Sequence, residues 1–116
     1  MDLAADITAE DLEVFLQEAD ENLQVLDEDI VRLERDNDNQ ELIQEIFRVA
    51  HTFKGSAAMF GYHQMTELAH AMESLFELVR QGSIPVTTPV IDALLHSLDI
   101  LKALRNALAD GVRMLR

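Results

Sequence analysis

His51, Lys54, Gly55 and Ala58 fall at spacings of three, four and seven, which on a helix makes them neighbours on one face. A neutral imidazole is a competent nucleophile near pH 7, and a lysine one turn away offsets negative charge on a group attached to it. Gly55 is the odd member of the set. Glycine inside a helix costs about 1 kcal/mol relative to alanine, yet the apolar periodicity runs on through Ala57 and Phe60 with no turn chemistry around it. A position where a sequence contradicts its own local propensity is a candidate for function. Here the missing side chain, with the small Ala58, leaves bare backbone beside His51, which suits an imidazole that a bulky active site must reach. A half-buried surface histidine beside an accidental glycine fits the spacing equally well.

A second pair weighs on that choice. His70 and Glu73 are three apart and share a helical face. If the segments on either side of Gly61 are antiparallel helices, His51, ten residues before Gly61, meets His70 and Glu73, nine and twelve after it. A carboxylate accepting the Nδ1 proton of His51 would fix the tautomer and leave the Nε2 lone pair facing solvent. That is the logic of a nucleophile oriented by a supporting group, reduced to its minimum.

Helices must do the positioning, because strand signals are absent. Thr8 and Asp11 open the first segment in the manner of a capping box. Leu12, Phe15, Leu16, Ala19, Leu23, Leu26, Ile30 and Leu33 then recur at steps of three and four. The polar run Asp36–Asn39 ends that helix and caps the next, whose stripe is Ile43, Ile46, Phe47, Ala50, Phe53, Ala57 and Phe60. Gly61 separates it from a third stripe, Met65 to Val79, which Gly82 terminates. Thr88 and Pro89 read as a cap followed by proline at the first helical position, and a fourth stripe continues to Leu108. The spacing predicts helices over about 8–35, 39–60, 63–81 and 88–110, with Gly111 breaking the last and the remaining residues starting a truncated fifth. Joined by short loops, these form an all-α, up-down-up-down antiparallel four-helix bundle. The abrupt end suggests a piece of something longer.

Composition narrows the function classes. The 116 residues fit one domain, 48% hydrophobic and 27% charged, hence globular. There is no cysteine, so neither a disulfide framework nor a thiolate metal site. No apolar stretch is long enough to span a bilayer and no basic signal-peptide start is present, so a soluble, cytoplasmic protein is expected. Residues 1–45 carry sixteen acids against two arginines, whereas residues 46–116 are nearly balanced. With a net charge of −13 and no basic patch, nucleic acid and anionic membrane are excluded as partners.

The run His51-Thr52-Phe53-Lys54-Gly55-Ser56-Ala57, then Phe60-Gly61-Tyr62, then His70-Ala71-Met72-Glu73, resembles the histidine phosphotransfer (HPt) domains. It is most similar to the N-terminal phosphotransfer domain of chemotaxis-type histidine kinases, the CheA family. Phe15–Ala19 and Arg80-Gln81-Gly82 also fit, so the likeness covers nearly the whole chain. The resemblance implies that His51 is phosphorylated at Nε2, that Glu73 hydrogen-bonds and orients it, that His70 and Lys54 complete the network, and that Gly55 gives clearance. It implies two partners: a kinase ATP-binding domain acting in trans, which uses ATP and Mg²⁺, and a receiver of the CheY or CheB type whose aspartate takes the group. It also implies a bundle often extended by a fifth helix. Ser56-Ala57-Ala58-Met59 stands where many relatives carry further glycine, a slightly more crowded phosphosite.

The domain alone is expected to bind no cofactor or metal and to be a monomeric carrier, not an ATP-dependent enzyme, since no phosphate-binding loop is present. Glu67 and His70 match one half of a di-iron bundle motif, but the second Glu-x-x-His and the inward glutamates are missing. Other readings are a freestanding phosphorelay shuttle and a non-catalytic interaction bundle, and the second leaves Gly55 unexplained. His63 and His96 receive no role.

Overall fold

The computed structural model describes residues 7–114. Thr8 caps the first helix, α1 (Ala9–Arg35), through the expected reciprocal box: its hydroxyl accepts from the Asp11 amide at 3.1 Å, and its own amide donates to Asp11 Oδ2 at 3.0 Å. Asn39 caps α2 (Gln40–Met59) by accepting from the Leu42 amide at 3.1 Å. The helices α3 (His63–Arg80) and α4 (Thr88–Met114) follow. Among the described residues no strand occurs, and no helix is long and apolar enough to cross a membrane.

Two glycines end helices by the same device. Gly61 and Gly82 both have φ +76°, the left-handed conformation that costs other residues strain. Past Gly61 the Tyr62 amide donates back to the Ala57 carbonyl at 3.0 Å, and the Gly61 amide to Ala58 at 3.1 Å. Past Gly82 the Ser83 amide donates to Leu78 at 2.9 Å, and the Gly82 amide to Val79 at 3.0 Å. Both are Schellman motifs, which reverse the chain tightly while satisfying the last carbonyls. The Gly61 turn is clamped by an aromatic cluster, with Phe15 4.9 Å from Phe60 and 5.3 Å from Tyr62 between ring centroids.

Each helix packs against its sequence neighbours and α1 closes on α4, giving the antiparallel four-helix bundle expected from the apolar stripes. The core is filled by those stripes: Phe15, Phe53 and Phe76 are at most 1% exposed, with Ile30, Ile46, Leu98 and Leu101 equally buried. Asp29 is the one polar residue buried among the described core, facing Glu45 of α2. Burial first, then the hydrogen bond and charge of Glu45, push its carboxyl up to about 7, with Arg32 pulling the other way and Glu28 adding to the rise.

Two boundaries correct the sequence reading. The cap of α4 is Thr87, not Thr88: its hydroxyl accepts from the Val90 amide at 3.4 Å, and its carbonyl accepts from Ile91 at 3.0 Å. Pro89 therefore sits second in the helix, still within the turn whose amides need no helical partner. Gly111 does not break α4, which continues to Met114, so no fifth segment starts at 111–114; residues 115 and 116 lie outside the described residues. Val112 is only 5% exposed, and its burial outweighs the roughly 1 kcal/mol local cost of glycine.

Candidate functional site

Helical spacing puts Phe47, His51 and Lys54 on one face of α2, and the tight Gly61 reversal lays α3 antiparallel against that face. Glu73 of α3 reaches between His51 and Lys54. Its Oε2 pairs with His51 Nδ1, and its Oε1 accepts from Lys54 Nζ at 2.7 Å. The burial gradient across the cluster is steep: the side chain of Glu73 is 13% exposed, that of Lys54 25% and that of His51 63%. The carboxylate is inside and the imidazole is outside.

Burial alone pushes the Glu73 carboxyl up, but the hydrogen bonds and charges of Lys54 and His51 together outweigh it and hold the group below the usual carboxylate range. Glu73 is thus an anion at neutral pH. An ionised carboxylate only accepts hydrogen bonds, so Nδ1 of His51 carries a proton, and in the neutral ring the lone pair is on Nε2. With Nδ1 turned to Glu73 and the ring largely exposed, Nε2 is left for a visitor.

Beyond His51 the surface is bare. A Cβ placed on Gly55 would meet no atom within 4 Å, so nothing inside the domain requires glycine there. Ala58 is exposed, and Met59 is 65% exposed. The structure therefore brings together four of the five residues singled out from the sequence: His51, Lys54, Gly55 and Glu73. His70 stands apart. It is exposed on α3 one turn before Glu73, with no hydrogen bond or ion pair to the other four among the described residues. No three of the described His, Asp and Glu residues converge as metal ligands, Glu67 and His70 included.

Two neighbours of the site escaped the sequence reading. The ring of Phe47 lies nearly parallel to the His51 imidazole, with centroids 6.4 Å apart and planes 11° from parallel. The Arg80 guanidinium carbon sits 4.6 Å from the centre of the same phenyl ring. Their spacing carried a signal, since Phe47 is one turn from His51 and Arg80 two turns from Glu73. Phe47 read as core, and in the structure it is half-buried, packed on the core with its ring turned to the imidazole.

A histidine bonded to a half-buried carboxylate on the open flank of an antiparallel helix pair is the arrangement that the resemblance to phosphotransfer domains implies. Comparison with known proteins agrees: the chain matches the Hpt domain family over residues 10–110 and belongs to it. The chemotaxis protein CheA of Listeria monocytogenes is 37% identical over 105 residues, which cover 90% of this chain and 17% of that protein. The sensor histidine kinase CheAY of Helicobacter pylori is 39% identical over 99 residues, covering 85% of this chain and 12% of that protein. The chain thus spans under a fifth of the length of these relatives. The solved CheA phosphotransferase domain from Thermotoga maritima superposes with a TM-score of 0.85 at 31% identity, covering 89% of this chain and 98% of that one.

Proposed function

We propose that this chain is the phospho-accepting module of a chemotaxis-type histidine kinase working in the cytoplasm. His51 Nε2 takes the γ-phosphoryl group of ATP from a kinase ATP-binding domain and yields it to an aspartate of a CheY- or CheB-like receiver. The observation that carries the reading is the Glu73 carboxylate, anchored by Lys54 and bonded to Nδ1 of an otherwise exposed His51 beside the bare Gly55 surface.

In the first step the Nε2 lone pair forms a bond to the γ-phosphorus as the bond to the bridging oxygen of ADP breaks. The imidazole keeps its Nδ1 proton and becomes cationic. Glu73 faces that developing charge without needing to move, which is how a preorganised carboxylate lowers the barrier. No proton has to leave for the transfer to run. In the second step a receiver carboxylate oxygen attacks phosphorus, the N–P bond breaks, and neutral His51 is restored. Lys54 keeps Glu73 ionised, and its positive charge, one helical turn from His51, offsets phosphoryl charge. The charge clamps and Mg²⁺ that phosphoryl transfer needs are supplied by the partners, on whose active sites the exposed His51 is inserted. The lack of any side chain at Gly55 gives those partners their approach.

Incubation of wild type and His51→Gln with ATP and the catalytic core of a chemotaxis-type kinase tests this. Acid-labile, base-stable label on wild type alone supports it, and transfer to a receiver completes it. Equal labelling of both forms, or none on either with a demonstrably active cognate kinase, refutes His51 as the phosphosite.

A further inference from the structure

The covalent bond at Cγ and the contact from Glu73 at Nδ1 together set the plane of the His51 ring, but the second of these is a single hydrogen bond. On a ring that is 63% exposed one hydrogen bond is a soft restraint on rotation about Cβ–Cγ. The Nε2 lone pair lies in the ring plane and swings with it. Phosphoryl transfer needs the attacking nitrogen and the leaving oxygen roughly in line through phosphorus, and reactivity falls steeply as alignment is lost. A contact on the ring face stiffens that rotation.

Phe47 is the group that supplies one. Its ring is nearly parallel to the imidazole at a centroid separation of 6.4 Å, within the range of offset aromatic pairs. Phe47 is packed against the core, so the interior and not the solvent sets its position. Arg80 lies against the same phenyl ring, 4.6 Å from its centre, in cation–π contact. Arg80 is in turn held by three hydrogen bonds to Glu77, at 2.7, 2.9 and 3.1 Å, and Gln81 adds a bond to Glu77 at 2.9 Å. One helix pair therefore offers a point contact through Glu73 and a planar contact through Phe47, at adjacent turns of the same interface.

We propose that Phe47 is a positioning residue that sets the plane of the His51 imidazole, braced by Arg80 and Glu77, so that Nε2 is aimed in one direction. The inference rests on the reading of His51 as the phosphosite and adds how its ring is aimed.

Phe47→Leu, Phe47→Tyr and Arg80→Gln, each made in the whole chain, test it. Side-chain couplings and relaxation of labelled histidine report the order of the His51 ring with no phosphoryl donor present. Phosphoramidate then serves as a small donor: its P–N bond breaks, ammonia leaves and the Nε2–P bond forms, with no protein partner involved. Wild type and Phe47→Tyr are expected to show one ring orientation and equal rates. Phe47→Leu is expected to show an averaged ring and a rate lower by about tenfold, with the same factor in kcat and an unchanged KM when a kinase core replaces phosphoramidate. Arg80→Gln, at an exposed helix end that can lose its cation without unfolding the bundle, is expected to shift both readouts in the same direction by about twofold to threefold. A ring equally ordered in Phe47→Leu and wild type overturns the inference. So does a loss confined to the kinase reaction, which would make Phe47 a docking residue. The ring measurement decides on Phe47 even where no donor labels His51, so failure of the phosphosite reading is told apart from failure of this one.

Discussion

Gly55→Ala separates what the domain needs from what its partners need. Gly55 is exposed in the interior of α2, and an added Cβ would meet nothing within 4 Å. Folding therefore gains the helix-propensity difference with no clash to offset it, about 0.5–1 kcal/mol. For a domain of this size that is a rise in Tm of about 2–5 °C. Transfer should move the other way. The new methyl stands one turn from His51, in the space that the proposed receiver or kinase domain would enter. A displacement of the docked partner by about 1 Å costs up to about a hundredfold in rate; a single methyl at the edge of the contact is expected to cost about tenfold, and Gly55→Leu about a hundredfold. Phosphoramidate is too small to be obstructed, so its reaction with His51 should be unchanged in both variants. The assay is a thermal melt beside single-turnover transfer to a receiver and the phosphoramidate rate. A fall in Tm would mean that the glycine serves the fold. A rise in Tm with full transfer would mean that it is accidental.

Glu73→Gln should lower stability by about 1–3 kcal/mol by leaving Lys54 without its carboxylate, and should slow phosphorylation of His51 by loosening its tautomer. Because Glu73 is held below its ordinary range, its contribution is present above the usual carboxylate value and lost as pH falls through the lowered one. Urea titrations of the variant should lack that acid-side loss. Asp29 has the opposite sign: raised from 3.8 to about 7, it stabilises below its unfolded value, and that stability is lost as pH climbs to about 7. Asp29→Asn should flatten the slope of stability between pH 4 and 8 by up to about 4 kcal/mol, less to the extent that Glu45 shares the proton; an unchanged slope would refute the buried pair. Gly61→Ala, forced to φ +76°, should lose about 1–2 kcal/mol in denaturant. Gly111→Ala, inside α4 with open space around it, should gain about 0.5–1 kcal/mol, and a loss there would argue against the continuous helix.

Local rules determined most of the bundle. Stripes of period 3.6 and caps such as Thr8 and Asn39 act within a few residues, so helix identity was legible in the sequence. So was the pairing of His51 with the His70–Glu73 segment, because a Gly61 reversal fixes the antiparallel register. That the carboxylate of Glu73 bonds His51 was legible from its chemistry and from the resemblance, but that His70 stays outside the network was not, because it depends on side-chain direction. The end of α4 was misread for a related reason. The cost of Gly111 is local, whereas the burial of Val112 that outweighs it exists only in the packed bundle. Asp29 lies between Leu26 and Leu33 at core spacing, which hinted at burial, but its partner Glu45 comes from another helix. The stack of Arg80, Phe47 and His51 likewise depends on rotamers chosen across a helix pair. Sequence thus determined the helices and the reactive residue types, through interactions that reach one or two turns. Tertiary structure decided which side chains touch across the interface, and hence how the imidazole is held, because those contacts depend on packing between distant segments.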